Sequence, residues 1–332
     1  MNFMVDIDIK KPESLISYGD SVMLIGSCFT EHIGRALDEA KLKVMQNPNG
    51  ILFDPDSVCR SLVSYIEKKT YTTNDLFELN EVWHSWEHQS RFSGMDPETV
   101  IKQINESHEK AHEFLKSASW LIITLGSAFS YRLTNEQTEK PPESRGVANC
   151  HRAPAKWFDK HLLDINSIIA MLDATYHRLM EFNPELKIIF TVSPVRHLRD
   201  GVVENNRSKA RLIESVHHLA GKYEGITYFP AYELVIDVLR DYRFYDIDLA
   251  HPNYMATEFV LEKFTENYID ESSRELMKEI RKIAIARRHR PMQPGTTQHR
   301  QFLLEHAEKV RKLMEKHPFL NMQEELSYFS ST

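Results

Sequence analysis

Residues 21–38, Ser-Val-Met-Leu-Ile-Gly-Ser-Cys-Phe-Thr-Glu-His-Ile-Gly-Arg-Ala-Leu-Asp, change pattern at Gly26, where an apolar run stops and a helical spacing starts. Val22–Ile25 are continuously apolar, as in a strand covered on both faces. From Phe29 the apolar residues recur at Ile33, Ala36, Leu37 and Ala40, one face of a helix. The stretch therefore predicts a strand, a tight turn and a helix. Ser27 and Cys28 then lie at the carboxyl end of the strand and the amino end of the helix. Open α/β sheets bind ligands at such places. Free N–H groups at a helix start also stabilise a thiolate or an oxyanion. The alternative is structural, because small residues pack well at any strand-turn-helix junction.

The same arrangement recurs along the chain. Leu42–Gln46 reads as a second short strand, followed by the turn Asn47-Pro-Asn-Gly50, whose glycine suits positive φ. A backbone N–H near Gly50 could face the first loop. Pro55 starts a helix with Val58, Leu62 and Ile66 on one face, and Asp96-Pro97 starts a longer one through Ala118. Trp120–Leu125 is a second fully apolar run ending in a glycine, Gly126, and is expected beside the first, parallel to it. Residues 164–182 read as a helix, Leu186–Val192 as a strand, Arg207–Tyr223 as a helix, Ile226–Phe229 as a strand and Ala231–Arg240 as a helix. This alternation predicts a parallel sheet with helices on both faces. Tyr71–Phe92 is aromatic-rich and alternates as a hairpin does, and we expect an insertion at about 70–95.

Composition limits the function. The 332 residues carry 41 basic against 48 acidic side chains, a formal charge of −7, which argues against general nucleic-acid binding. No apolar run reaches the ~20 residues of a membrane span, and the amino terminus lacks a signal-peptide core, so a cytoplasmic protein without a membrane partner is expected. Three cysteines, Cys28, Cys59 and Cys150, are too few for a disulfide scaffold and lack paired zinc spacing. In Trp83-His-Ser-Trp-Glu-His88, His84 and His88 are spaced by four without a recognisable third ligand, so neither metal nor cofactor is expected.

Polar groups gather in loops after the strands. Val147-Ala-Asn-Cys-His-Arg-Ala-Pro154 holds an amide, a thiol, an imidazole and a guanidinium. Asn149 and His151 either line a site or satisfy loop backbone groups. In Ser193-Pro-Val-Arg-His197, Arg196 and His197 can hold a substrate carboxylate or phosphate, or Arg196 can anchor the loop. In Tyr245-Asp-Ile-Asp-Leu-Ala-His-Pro-Asn253, Asp248 precedes His251 by three. A turn with that spacing lets the carboxylate accept from one ring nitrogen and leaves the other free as a base.

Taken together, Gly26-Ser-Cys-Phe-Thr30, Gly50, Leu125-Gly126 and Asp248-x-x-His251 resemble the SGNH/GDSL hydrolases. More closely, with Asn149-Cys-His151, Ser193–His197 and Tyr242-Arg-Phe-Tyr245, the chain resembles the bacterial GSCFA-domain family over about residues 20–268. The resemblance implies a flavodoxin-like three-layer α/β/α sandwich and acyl-ester chemistry, with Asp248 and His251 as the base pair. In the SGNH pattern the nucleophile is the second residue after the glycine. Cys28 holds that place here, and Ser27 stands where an aspartate would be. Either residue is a candidate, and the helix start and His251 are expected to lower the Cys28 thiol pKa. The third-block asparagine is replaced by Ala128. Asn149 can substitute as oxyanion donor, with Gly50 and Cys28 supplying N–H groups.

The expected activity is hydrolysis of a small-molecule or carbohydrate ester or thioester through an acyl-enzyme. An acyltransferase using the same intermediate is one alternative. A non-catalytic carbohydrate or ligand binder, with Trp83, Trp86 and Phe92 as its surface, is the other. Residues 1–270 are expected to form the α/β domain and 271–332 a helical extension, broken at Arg290-Pro-Met-Gln-Pro-Gly295. Its basic residues Arg281, Lys282, Arg287, Arg288 and Arg290 are a solvated face or a contact to an acidic partner or a second copy.

Overall fold

The computed structural model describes residues 5–134, 146–289 and 293–330. The stretch Thr134–Pro142, whose polar sequence reads as a turn, lies mostly outside the described residues, as do positions 290–292 of the expected helix break. Ser21–Gly26 (β1) runs into Cys28–Glu39 (α1), and Lys43–Gln46 (β2) follows. Then come Pro55–Ile66 (α2), the hairpin Leu76–Leu79 (β3) and Val82–Ser85 (β4), Pro97–Lys116 (α3) and Trp120–Leu125 (β5). Phe129–Leu133 (β6), Gly146–Val147 (β7) and Phe158–Leu162 (β8) form a small antiparallel sheet. Ile165–Phe182 (α4), Lys187–Val192 (β9), Gly201–Lys222 (α5) and Ile226–Phe229 (β10) complete the alternation. A short helix, Ala231–Glu233 (α6), runs into a π-helical turn over Leu234–Leu239, and Tyr254–Tyr268 (α7), Glu271–Arg288 (α8), Thr297–Lys316 (α9) and Gln323–Ser330 (α10) close the chain.

The main sheet is five-stranded and parallel, in the order β10-β9-β5-β1-β2. Counting only its own strands along the chain, this is 2-1-3-4-5, the flavodoxin-like order. Val22 sits beside Trp120, and Trp120 beside Lys187, so β1 and β5 are neighbours as their matching patterns predict. Alternate side chains face opposite layers. Met23, Ile25, Leu121, Ile123, Ile188 and Phe190 pack under α2, α3, α4 and α5 through residues such as Leu62, Leu115, Leu172 and Leu212. Val22, Leu24, Ile122 and Ile189 face Phe29, Ile33 and Leu37 of α1 and Val260 and Phe264 of α7. Each such side chain, fully buried, contributes roughly 1.5–3 kcal/mol, which is why both faces of the central strands are apolar. Four helices begin on an aspartate whose carboxylate accepts from the N–H three residues on: Asp54 from Ser57, Asp96 from Thr99, Asp164 from Ser167 and Asp270 from Ser273.

Two elements differ from the sequence reading. Helix α5 starts at Gly201, not Arg207; its first turns leave Val202 and Val203 in solvent, so no apolar stripe marks them. Strand β8, Phe-Asp-Lys-His-Leu, was not anticipated, because it is short and half-polar. The segment expected as an insertion holds the hairpin, closed over α3 by Tyr71, Phe92, Val100 and Ile104. Trp86 is buried with its ring stacked on Phe77, and Phe92 is buried, so these two aromatics are core and not a displayed recognition surface.

Helices α8–α10 have their own core, in which Leu276, Ile280 and Ile283 meet Leu303, Ala307, Val310 and Phe329. Three of the basic residues in the expected cluster have acidic partners within the chain: Arg281 with Glu258, Arg287 with Glu325 and Arg288 with Glu39. Residues 16–18 join this bundle to the sheet. Ile16 N–H donates to Tyr268 O (2.8 Å) and Ile16 O accepts from Asp270 N–H (3.0 Å). Tyr18, packed against both cores, donates from Oη to Ala40 O (2.7 Å). Among the described residues, no helix is long and apolar enough to cross a membrane.

Candidate active site

The turn after β1 admits only glycine. Gly26 has φ +147°, and a Cβ there would lie 2.2 Å from Thr124 O in β5. The turn is pinned on three sides: Gly26 N–H donates to Asn47 Oδ1 (2.9 Å), Gly26 O accepts from Leu52 N–H (3.1 Å), and Ser27 N–H donates to Thr124 O (3.1 Å). Ser27 thereby becomes the N-cap of α1 with extended backbone, but its hydroxyl does not cap. That Oγ is buried and, among the described residues, has no hydrogen-bond partner.

Cys28 is half-buried in the first turn of α1. Burial pushes its thiol pKa up and Glu31 pushes the same way, against the N–H groups of Phe29 and Cys28 and the cation of Lys209. The balance is upward, which corrects the expectation that the helix start would hold a ready thiolate; desolvation outweighs the first-turn N–H groups. The competing thiols are suppressed further. Burial lifts Cys150 to about 11 and Cys59 to about 12.

The turn after β5 closes against α2's entry loop, with Gly126 N–H (2.7 Å) and Ser127 N–H (3.1 Å) both on Phe53 O. A Cβ at Gly126 would meet Phe53 Cβ at 2.8 Å, Ser27 Cβ at 3.4 Å and His197 Nε2 at 3.5 Å. Ser27 and His197 thus flank one glycine. The His197 ring lies against Phe53 (centroids 5.3 Å apart), the backbone N–H of His197 donates to Asn205 Oδ1, and burial and Lys209 hold the ring pKa down at about 4. It is a neutral wall residue at ordinary pH.

The Asp248–His251 turn forms as its spacing predicts. His251 Nδ1 lies 2.6 Å from Asp248 Oδ2, while Asp248 Oδ1 accepts from the N–H groups of Ala250 (2.9 Å) and His251 (3.0 Å). These bonds lower the Asp248 pKa to about 2. Arg196 anchors the turn: its N–H donates to Ala250 O, its guanidinium to Leu249 O, and it lies 4.1 Å from the Tyr245 ring centroid. The anchoring role, not a substrate clamp, is where these contacts go. His251 is within electrostatic reach of His197 and of His32, which sits four residues after Cys28 on the same face of α1. The pair is half-exposed, and among the described residues no hydrogen bond joins His251 to Ser27 or Cys28.

Three further candidates are engaged elsewhere. Gly50 has φ +84° as expected, but its N–H donates to Asn47 O (2.8 Å) and closes its own turn. Asn149 Oδ1 accepts from His151 N–H (2.9 Å), an Asx turn. His151 is tied to the hairpin through Ser85 O and Ser90 Oγ. Among the described residues no hydrogen bond takes any of the three to Cys28. His88 is buried and bonded to His108 (Nε2 to Nε2, 3.0 Å). Volume alone does not mark the site: a cavity of about 420 Å³ lies between α8 and α9, lined by Lys282, Lys309, Lys312, Lys316 and others, none from the strand ends.

Sequence reasoning missed Lys209. It stands on the buried stripe of α5 with Asn205, Leu212 and Val216, and a lysine at that spacing is the signal that could have found it.

The sequence model of the GSCFA family matches residues 21–264, and a model described as the C-terminal domain of GSCFA domain proteins matches residues 280–332. A comparison with curated proteins found no match. A crystal structure of a carbohydrate esterase family 3 from Talaromyces cellulolyticus is similar over 79% of this chain and 99% of that one, at 12% identity and a TM-score of 0.35. That likeness is too slight to say what this chain does.

Proposed function

We propose, for a chain that belongs to the GSCFA family, that it hydrolyses an ester or thioester through an acyl-enzyme on Cys28, in the manner of an SGNH-like esterase. The observation that supports this most is the sharing of one sheet end by a half-buried Cys28 at the start of α1 and a hydrogen-bonded Asp248–His251 pair. Ser27 is disfavoured as nucleophile, because its hydroxyl is buried.

In the first step the free Nε2 of His251 takes the Cys28 proton as sulfur attacks the carbonyl, with Asp248 fixing the ring through Nδ1. The N–H groups of the first turn of α1 receive the oxyanion. His251 returns the proton to the leaving oxygen or sulfur, and water, activated by the same ring, then releases the acid. An acceptor alcohol in place of water gives acyl transfer.

His251→Ala is expected to lower turnover of short acyl esters by at least about 10³-fold, whereas Asn149→Ala, whose oxygen only closes a turn, loses less than about tenfold. Equal losses contradict these roles. A non-catalytic cleft is favoured by one observation, the absence of a bond from His251 to the thiol. Mass analysis separates the readings: an acyl adduct on the Cys28 peptide supports catalysis, and ligand binding unaltered in His251→Ala without any adduct supports the cleft.

A further inference from the structure

We propose that the cavity between α8 and α9 is a binding site for a phosphate-headed amphiphile, whose head is gathered by four lysines and whose apolar body lies on their alkyl stems and on Ile283 and Leu313. The site is separate from the crevice at the strand ends and does not depend on which group reacts there.

The cavity holds about 420 Å³, within the roughly 300–1,000 Å³ of small-molecule sites. Lys282 and Ile283 line it from α8, and Lys309, Lys312, Leu313 and Lys316 line it from α9. Ile283 and Leu313 belong to the bundle core and are 5% and 6% exposed, so they form the floor. The α9 residues follow Lys309 at three, four and seven positions, which puts them on one face of the helix. Like charges thus sit beside one another at 309, 312 and 316, an arrangement that destabilises an unliganded helix. Elsewhere on the bundle the cations are met in pairs: Lys278 with Glu275, Arg281 with Glu258, Arg288 with Glu39 and Arg311 with Glu308. In the cavity they are not. Among the described residues no carboxylate pairs with Lys282, Lys309 or Lys316, and Lys312 shares Glu308 with Arg311, at 3.7 Å. Glu279 is the one acid in the lining.

Such a group of ammonium ions is matched by an anion of more than one charge. A phosphate monoester carries about −1.5 to −2 at pH 7 and three acceptor oxygens, where a carboxylate brings a single charge. A lysine also keeps its methylene stem on apolar surface while its head reaches water, so the same four residues supply an apolar wall and a cationic rim. Inorganic phosphate leaves that wall unused, and a neutral alkyl chain leaves the rim unmet. The simpler alternative is a solvated face that keeps the bundle soluble, and it predicts no selective binding.

Calorimetric titration of the full chain with decyl phosphate, below its micelle concentration, tests the site. One-to-one binding is expected, with decyl glucoside at least about tenfold weaker and inorganic phosphate at least about a hundredfold weaker. The double variant Lys309→Gln/Lys316→Gln is expected to weaken decyl phosphate binding by at least about tenfold. Lys278→Gln, outside the lining, is expected to stay within about twofold. All these lysines are exposed, so the variants keep the core intact, and Lys282→Gln on the opposite wall repeats the test if the double variant unfolds. No binding of decyl phosphate, equal binding by the double variant, or an equal loss in Lys278→Gln each overturns the proposal. Inorganic phosphate bound as tightly as decyl phosphate also overturns it, leaving a plain anion site. So does co-sedimentation with anionic phospholipid vesicles without binding of monomeric decyl phosphate, which marks a membrane-facing surface instead.

Discussion

A methyl group at Gly26 would have to displace the Thr124 carbonyl of the neighbouring strand, 2.2 Å away, at a φ of +147° that other residues rarely adopt. Gly26→Ala is therefore expected to cost roughly 3 kcal/mol or more in urea unfolding, because backbone and not a flexible side chain must yield. Gly201, equally left-handed at φ +82° but with nothing within 4 Å, should lose less on the same change. Asp248 behaves oppositely, an exposed residue whose importance is chemical. Its carboxyl pKa is depressed, so the ion is kept from neutral pH down through the usual carboxylate range and lost only as the pH falls through about 2. A rate that declines in mild acid then belongs to another group, and Asp248→Asn should lower the plateau of the pH profile without creating a new midpoint near 4.

The hairpin and α3 meet through the buried His88–His108 contact, edged by Tyr71 and by Glu87, Lys69 and His151. Burial holds the His108 pKa at about 4 and that of His88 well below its ordinary value. Since the folded pKa lies below the unfolded one, near 6.5, the unfolded chain binds more protons in acid. Stability is fully present above about pH 6.5 and falls as the pH drops toward 4, by up to roughly 3 kcal/mol for His108 alone. A Tm flat from pH 8 to 4 in the intact protein contradicts this, while His108→Gln should flatten the acid slope. Strands and helices of the main sheet were legible in the sequence because each is a local pattern: an apolar run, or a stripe at helical spacing. Asp248 and His251 were legible for the same reason, three residues apart in one turn. Phe53, Asn47 and Lys209 were not, because they reach the crevice from separate elements and their roles exist only after the sheet has formed. Arg281 and Arg288 stay exposed, as a solvated face requires, but their partners Glu258 and Glu39, like Glu325 beside Arg287, come from distant stretches and could not be read from the sequence.

Across the whole molecule, the three-helix bundle is fastened to the sheet through few charges, one of them sheltered. Lys41 meets Glu325 at 2.8 Å, and the carboxylate side chain is only 9% exposed. Lys41→Met leaves Glu325 with Arg287 at 3.3 Å as its remaining partner, so a loss of about 1–2 kcal/mol in urea unfolding is expected. The exposed pair Arg311–Glu308 is the contrast, and Arg311→Ala should stay within about 0.5 kcal/mol. The segment around Ile16 has a different consequence, one of timing. It is held by Tyr268 and Asp270, more than two hundred residues downstream. At the usual pace of a ribosome, about 5–20 residues per second, those partners are made only some tens of seconds later. Through that interval the Ile16 backbone lacks both its partners, so one of the first segments made is among the last to dock.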